Sequence, residues 1–254
     1  MATIVAALLG TAAAPAAECT VASGPQRVAV LELYTSEGCD SCPPADQWVS
    51  ALPAGKFRGD RVIPLAFHVD YWNQLGWNDP FSQAAFSARQ RLHSNRRGVG
   101  FVVTPQLLLN GQEYRRGAGY EDLASRLASI NQSAPRAEIR LKLNRSASIL
   151  VSTVDVKVPA DAAQRRAQVF VALYEMNLVT AVAAGENKGK TLRHDFVVRS
   201  LVGPLALDDN GNVAHVDRFD LHTLKPQDVN LAVFVQHPQS GDILQALTAR
   251  CGPP

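Results

Sequence analysis

Apolar and polar residues follow different patterns in the two parts of the chain. In the first part, the runs over residues 27–35 and 61–69 are largely apolar, which is typical of strands that are buried on both faces. Apolar residues at helical spacing predict three helices, over residues 45–52, 80–94 and 120–130. The first part is therefore predicted to alternate strands with helices.

A two-residue turn signal, Asn110-Gly111, stands between two strand-like runs in this same part. It predicts a β-hairpin, so the element order becomes strand, helix, strand, helix, hairpin, helix. Two strands joined by a helix run parallel, with a right-handed crossover. The order predicts an α/β fold class: a four-stranded mixed sheet flanked by helices over residues 26–132, as in thioredoxin and glutaredoxin.

The second part of the chain consists mainly of strand-length segments that alternate or run apolar. They cover residues 137–145, 149–158, 167–176 and 230–237. Turn residues separate them, which predicts a β-rich, sandwich-like domain over residues 135–250. The boundary between the two predicted domains lies near Ser133.

Composition and charge exclude some classes of partner. The chain is 46% hydrophobic with a formal net charge of +2, so it can bury a core but has no basic field for nucleic acid. The segment GENKGKT (185–191) resembles a phosphate-binding loop, but such a loop needs four residues between its glycines, and here there are three. We expect neither a nucleic-acid nor a nucleotide partner, and interpret the segment as a polar loop.

The N-terminal residues 1–17 are predicted to contain a secretory signal peptide. They carry no charge, are apolar from Ala2 to Leu9, and end in small residues that favour cleavage just before Ala17. The usual positive charge at the start is missing, so whether Met1 is the true start stays open. A spanning helix needs about 20 apolar residues, and this apolar run is shorter. We therefore expect a periplasmic or secreted protein without a membrane span after cleavage.

The chain has four cysteines, an even number that favours pairing in an oxidising compartment. Cys39 and Cys42 form one close pair. Cys19 and Cys251 stand near the two ends of the mature chain, and domain termini often lie close together. We predict a Cys19–Cys251 disulfide, which would contribute about 5 kcal/mol in the chain-entropy model.

Four stretches of the sequence carry a resemblance to a known family: ELYTSEGCDSCPPAD, LAFHVDYWNQLGWNDPFS, TPQLLLNG and GENKGKTL. Together they resemble the secreted bacterial family catalogued as domain of unknown function 1223. The stretches are spread over both parts of the chain, so the resemblance covers nearly the whole mature protein. It implies a thioredoxin-like fold and export, and it implies no particular activity.

The close pair Cys39 and Cys42 lies in the loop between the first predicted strand and the first helix. Chemistry in such sheets gathers at the carboxyl ends of the parallel strands, and a helix N-terminus lowers the pKa of a thiol. The two-residue spacing lets the second thiol attack a mixed disulfide formed on the first. As in thioredoxin-like proteins, Cys39 is the expected nucleophile and Cys42 the resolving thiol.

Other residues in the loop oppose the lowering of the Cys39 thiol pKa by the helix N-terminus. Pro43 and Pro44 delay the start of the helix, and Glu37 and Asp40 place negative charge near Cys39. The thiol should therefore be less acidic than in strongly oxidising members of that fold. Three interpretations of the pair stay open: a redox-active pair, an inert disulfide, or metal ligands.

A substrate groove is predicted beside the cysteines. His68 and Asp70 end the second parallel strand, at the same edge of the sheet as the cysteine loop, and Trp72 follows them in an aromatic-rich segment. Thr104-Pro105 enters the third strand, where a cis proline is expected to face the cysteines. His68 is interpreted either as a proton shuttle or as a hydrogen-bonded residue that holds the loop.

The leading interpretation is an exported thiol–disulfide oxidoreductase that uses Cys39 and Cys42, with no cofactor and a protein or small-molecule thiol or disulfide partner. One alternative is a Cu(I)-binding protein that uses these cysteines and His68. Another is a binding module that keeps the fold without turnover. The sequence does not indicate the substrate, the electron donor, the direction of transfer or the role of the β-rich part.

Overall fold

A computed structural model describes residues 17–54, 57, 59–115, 120–159, 161 and 166–252. The predicted signal peptide lies outside the described residues, apart from Ala17, with which the first strand begins. In the described part of the chain, no helix is both long and apolar enough to cross a membrane.

The helices are α1 (Pro43–Ala51), α2 (Ala84–Arg96) and α3 (Tyr120–Gln132). The strands are β1 (Ala17–Ala22), β2 (Ala29–Thr35), β3 (Val62–His68), β4 (Gln106–Leu109), β5 (Gln112–Glu113), β6 (Glu138–Arg145), β7 (Ile149–Lys157), β8 (Gln168–Glu175), β9 (Leu178–Ala181), β10 (Thr191–His194), β11 (Val197–Ala206), β12 (Asn212–Asp220), β13 (Val229–Gln236) and β14 (Ile243–Ala249).

An eight-stranded sheet contains strands from both parts of the chain, in the order β14-β13-β8-β11-β3-β2-β4-β5. Strands β2 and β3 are parallel and end together, with Thr35 opposite His68. Strand β11 runs parallel to β3, with Val197 opposite Ala66, and antiparallel to β8. The sheet is therefore mixed, and β11 is the strand that connects the two parts.

The hairpin between β4 and β5 turns at Asn110 and Gly111. Both residues have positive φ, at 49° and 74°, as the tight turns of two-residue hairpins require. A Cβ at Gly111 would lie 2.2 Å from the carbonyl oxygen of Gly241, so only glycine fits there. The hairpin thus packs against the loop between β13 and β14.

A four-stranded antiparallel sheet, in the order β1-β6-β7-β12, forms a second layer. Its strand β6 alternates exposed and buried residues, and the buried Ile139 and Leu141 belong to one apolar core with Val169 and Val171 of β8. Phe170 belongs instead to the other core. Because successive residues of a strand point to opposite faces, β8 separates the two cores.

The other core lies around β2 and β3, all of whose residues are buried. Each helix contributes apolar side chains to it, including Val49 of α1, Phe86 of α2 and Leu123 of α3. Burial on both faces explains why these two strands have continuous apolar runs rather than alternation. The carboxyl ends of β2 and β3 carry the cysteine loop and His68.

The predicted fold class is wrong. The molecule is mostly β: 42% of the described residues are in strands and 19% in helices, and they do not form a separate thioredoxin-like, helix-flanked four-stranded sheet followed by a sandwich. Instead, the order β3-β2-β4-β5 continues through β11 into β8, β13 and β14. At the outer edge of β3, the backbone N–H of Ala66 donates to the carbonyl oxygen of Phe196 (2.8 Å), next to β11, a strand that the sequence pattern did not predict.

A buried ionic cluster lies on β2 and α2, in the core around β2. Glu32 accepts hydrogen bonds from Arg89 Nε (2.8 Å), Arg89 Nη2 (2.9 Å) and Tyr34 OH (2.7 Å), and His93 Nε2 lies 3.6 Å from it. Burial raises the pKa of Glu32, but Arg89 outweighs burial and lowers this pKa to about 2. Burial lowers the pKa of His93 to about 4, against the attraction of Glu32. His93 is therefore buried as a neutral ring.

Both shifts predict that acid destabilises the fold. His93 binds its proton more tightly in the unfolded chain, so stability falls as the pH drops from about 6.5 towards 4. The carboxylate of Glu32 is stabilised in the folded state, so its contribution is lost between about pH 4.5 and 2. We expect each group to contribute about 3 kcal/mol to this pH dependence of unfolding.

Urea unfolding at a series of pH values measures this effect. In His93→Gln, the free energy of unfolding should lose most of its slope between pH 6.5 and 4, because the substituted side chain does not titrate. His222→Asn, at an exposed histidine, should keep the full slope. An unchanged slope in His93→Gln would contradict the assignment to His93.

Candidate functional site

The cysteine loop lies between the end of β2 and the start of α1. Cys39 and Cys42 form a disulfide with their Cα atoms 5.5 Å apart. Cys42 is the N-cap residue of α1, and Pro43 occupies the first helical position. A backbone N–H at that position would have no acceptor within the helix, so proline is tolerated there. The positive end of the helix dipole therefore lies at the disulfide. Both cysteines are fully buried.

Thr104 lies against this disulfide, and Pro105 follows it in the chain. Their peptide bond is cis, and the carbonyl oxygen of Thr104 is 3.9 Å from Cys39 Sγ. Trp72 Nε1 donates a hydrogen bond of 2.7 Å to Thr104 Oγ1. Ser41 Oγ lies 3.3 Å from Cys39 Sγ. The sulfur of Cys39 is thus covered by Ser41 and by the segment that Trp72 holds.

A surface cavity of about 330 Å³ borders Ser41 and Pro105. Ser41 and Ala45 line one side, and Val103, Pro105 and Tyr114 are among the residues that line the rest. Val103 is an apolar side chain that is 45% exposed. The cavity is a groove next to the disulfide, with both polar and apolar walls.

Glu37, one residue before the glycine that precedes Cys39, is the centre of a buried polar network. Its Oε1 lies 3.1 Å from His194 Nε2, and its Oε2 accepts a 2.8 Å hydrogen bond from Trp77 Nε1. On the other side of the ring, His194 Nδ1 lies 3.8 Å from Asp46 Oδ1. Burial lowers the pKa of His194, but Asp46 and Glu37 outweigh burial and raise it to about 9.

His68 belongs to the same network. Its Nδ1 lies 2.7 Å from Asp79 Oδ2, which also accepts a 2.9 Å hydrogen bond from the backbone N–H of Glu37. Burial raises the pKa of Asp79, but His68 and these hydrogen bonds outweigh burial and lower it. The rings of His68 and His194 are edge to face, with centroids 5.0 Å apart.

The segment 185–191 packs onto the cysteine loop from the second part of the chain. Asn187 is fully buried, and its Nδ2 donates to the carbonyl oxygens of Glu37 (2.9 Å) and Cys39 (2.8 Å). Lys190 Nζ donates to Asn187 Oδ1 at 2.8 Å. This polar loop therefore fixes the backbone of the cysteine loop.

Replacing Asn187 with alanine should destabilise the protein and loosen the cysteine loop. Two buried carbonyl oxygens would lose their donor, so we expect the free energy of unfolding to fall by about 1–3 kcal/mol. Reduction of the Cys39–Cys42 disulfide by dithiothreitol should also become faster. Lys188→Ala, at an exposed position of the same loop, is the control and should change neither property. Equal behaviour of the two variants would contradict this role of Asn187.

The predicted groove residues do not all meet. Thr104 contacts Cys39 through its carbonyl oxygen, Trp72 bonds the side chain of Thr104, and Pro105 follows Thr104 through the cis peptide bond. His68 instead lies with His194 and Asp46, and one potential ligand atom of each residue is within 4.8 Å of the other two. Asp70 lies outside the network and bonds Ser87 of α2 through its side chain. Asp79, further along the chain, is the acidic residue that contacts His68.

The sulfurs of Cys19 and Cys251 are bonded to each other as well. Cys19 lies in β1, at the edge of the four-stranded sheet, and Cys251 follows β14, at the edge of the eight-stranded sheet. Arg145 Nη1 donates to the carbonyl oxygen of Cys251 at 2.9 Å. This disulfide joins the edges of the two layers.

Comparisons with known proteins give a family and two similar folds. A family model described as "Protein of unknown function (DUF1223)" matches residues 30–236. A crystal structure of a protein from Agrobacterium tumefaciens is 25% identical, with a TM-score of 0.60 over 89% of this chain and 95% of that one. HBP35 of Porphyromonas gingivalis is similar in fold, with a TM-score of 0.69 at 16% identity, over 91% of this chain and 78% of that one. No curated protein matches the sequence.

Proposed function

The chain belongs to the DUF1223 family of proteins of unknown function, and we propose that it carries out thiol–disulfide exchange through Cys39 and Cys42. The observation that carries the proposal is the disulfide between two cysteines three positions apart, at a helix N-terminus and beside a groove. A helix N-terminus stabilises a thiolate, which is the nucleophile in exchange.

The exchange transfers two electrons. In the reduced protein, the Cys39 thiolate attacks one sulfur of a partner disulfide, forms a mixed disulfide, and releases the first partner thiolate. The Cys42 thiolate then attacks the Cys39 sulfur, which restores the Cys39–Cys42 disulfide and releases the second partner thiolate. The partner is reduced and the protein oxidised, and with a dithiol partner the same steps run in reverse.

The partner is proposed to bind in the groove beside Pro105. The apolar wall at Val103 and Tyr114 suits a peptide side chain, and the exposed Glu113 and Arg115 line the same cavity with charge. Because Cys39 is fully buried, exchange requires Ser41 to move away from its sulfur. We expect partner binding to favour this opening.

Export to the periplasm or the outside of the cell is part of the proposal. The apolar, uncharged residues 1–17 support it, as do the two disulfides, because disulfides persist in oxidising compartments. In such a compartment the pair would meet thiols and disulfides of other exported proteins.

Turnover of a peptide with a single disulfide tests the function. With glutathione as electron donor, the wild-type protein should accelerate reduction of the peptide, and Cys39→Ala/Cys42→Ala should leave only the uncatalysed rate. Cys19→Ser/Cys251→Ser, assayed where circular dichroism indicates a folded protein, should stay active. The proposal would be contradicted if the wild type were no faster than Cys39→Ala/Cys42→Ala in both directions: reduction of the peptide disulfide by glutathione, and oxidation of the peptide dithiol by glutathione disulfide.

A further inference from the structure

We propose that Asp46, His68 and His194 form a buried site for one divalent transition-metal ion, with Zn²⁺ as the expected occupant. One ligand atom from each of these three residues lies within 4.8 Å of the other two, and all three residues are buried. They come from helix α1, the end of β3 and the end of β10. This inference does not rest on the proposed thiol–disulfide exchange.

The hydrogen bonds of the two histidines leave one nitrogen of each ring for a ligand. His68 Nδ1 bonds Asp79, and His194 Nε2 lies at hydrogen-bond distance from Glu37. His68 Nε2 and His194 Nδ1 are buried, and neither has a hydrogen-bond partner among the described residues. Metal-ligating histidines almost always donate their other ring N–H to a carboxylate, a carbonyl or a water, which fixes the tautomer. Both histidines have this arrangement, with a carboxylate as the acceptor.

The charges around the histidines also favour a cation. The carboxylates of Glu37, Asp46 and Asp79 are all buried. Among the described ion pairs, none of the three is paired with a lysine or an arginine, and their cationic neighbours are the two histidines alone. Buried charges are normally paired or bound to a metal. A divalent ion would offset most of this negative charge.

The chemistry of the donors selects the class of metal. Two imidazole nitrogens and one carboxylate oxygen suit Zn²⁺ and similar ions, whereas Mg²⁺ and Ca²⁺ prefer sets of oxygen ligands. Ligands about 2 Å from Zn²⁺ in a tetrahedron lie about 3.3 Å apart. The separations here therefore need to shorten by small side-chain rotations on binding. Three protein ligands leave the fourth position for an exogenous ligand.

Metal content of the disulfide-bonded protein tests the site, because oxidised cysteines are not ligands. The protein is treated with a chelator, incubated with excess Zn²⁺ or refolded with it, desalted, and analysed by mass spectrometry of the element. We expect about one Zn²⁺ per chain, and a higher midpoint of thermal unfolding with Zn²⁺ than without. Cys39→Ser/Cys42→Ser should keep the ion.

Matched substitutions remove only the ligand atoms. His68→Asn retains a donor near the Nδ1 position for Asp79, and His194→Gln retains one near the Nε2 position for Glu37. Each should lower the apparent affinity at least about 100-fold, since losing a partner of a ligand already costs about 10–100-fold. His222→Asn, at an exposed histidine, is the control and should bind Zn²⁺ as the wild type does.

Two results would overturn the site. One is a wild-type protein that holds no stoichiometric Zn²⁺, whether it was incubated or refolded with the ion. His194 would then be a protonated ring between Glu37 and Asp46. The other is a Zn²⁺ content of His68→Asn and of His194→Gln that equals the content of the wild type. If these variants do not fold, the wild type loaded with Co²⁺ decides: strong visible bands of tetrahedral nitrogen and oxygen coordination support the site. Weak octahedral bands, or thiolate charge transfer, would contradict it.

Discussion

Cys42→Ser is expected to accumulate a mixed disulfide between Cys39 and the partner, whereas Cys39→Ser should exchange no faster than the uncatalysed reaction. The sulfur of Cys39 lies next to Thr104 and to Ser41, and Ser41 lines the groove. Cys42 is the N-cap residue of α1. We expect a partner that enters through the groove to reach Cys39 first, so that only Cys42 can resolve the product.

Intact-mass measurement after mixing each reduced variant with a disulfide peptide checks this prediction. Cys42→Ser should gain the mass of one peptide half, attached at Cys39 by peptide mapping, and Cys39→Ser should remain unmodified over the same time. Normal turnover by Cys42→Ser, or trapping on Cys42 in the Cys39→Ser variant, would show that the two roles are assigned the wrong way round.

Removing the other disulfide is expected to give the largest loss of stability. Cys19 and Cys251 are separated by 232 positions, so their bond restricts nearly the whole unfolded chain. The chain-entropy model gives about 5 kcal/mol for such a loop. Cys19→Ser/Cys251→Ser should therefore unfold at a temperature about 10–20 °C lower than the wild type. The two layers of strands would lose the covalent bond between their edges.

The cysteine-loop disulfide supplies the comparison for this effect. Cys39 and Cys42 are separated by 3 positions, so the same model gives only about 2 kcal/mol for their bond. Urea unfolding of both double variants should therefore give the larger loss for Cys19→Ser/Cys251→Ser. If that variant loses less than about 1 kcal/mol, the long-loop disulfide does not stabilise the fold in this way.

The elements that the sequence predicted are those determined by local pattern. The apolar runs became β2 and β3, and Asn110-Gly111 became the hairpin turn. Helix α2 was predicted from residue 80 but begins at Ala84. The residues before it form a turn in which the backbone N–H of Phe81 bonds Asp79. Local signals thus located the elements better than their ends.

The arrangement of the sheet could not be predicted from local pattern. The pairing of β11 with β3 joins Val197 to Ala66, which are far apart in the chain. Strand β11 also contains Gly203-Pro204, and both residues are unfavourable within a strand, so its sequence does not resemble one. The two parts of the chain were therefore predicted as separate units, although their strands form one sheet.

The candidate site was only partly visible in the sequence for the same reason. The cysteines, Thr104 and Pro105 stand in recognisable motifs. Asp70 was predicted to lie in the groove because it stands with His68 at the end of the second strand, but its side chain bonds Ser87, and Asp79 contacts His68. Nothing local marks His194, although the preceding segment 185–191 was noticed for its glycines. The contact between that segment and the cysteine loop is a property of the folded chain.

The reduction potential of the Cys39–Cys42 pair tests the proposed exchange most directly. The protein is equilibrated in glutathione and dithiothreitol buffers, free thiols are alkylated, and peptide mapping gives the oxidised fraction of each disulfide. We predict one reversible two-electron transition for Cys39–Cys42 at a potential above about −300 mV, with Cys19–Cys251 still intact, because structural disulfides typically lie below that value. A Cys39–Cys42 bond that opens only below it, or only when the protein unfolds, would contradict thiol–disulfide exchange and identify the pair as structural.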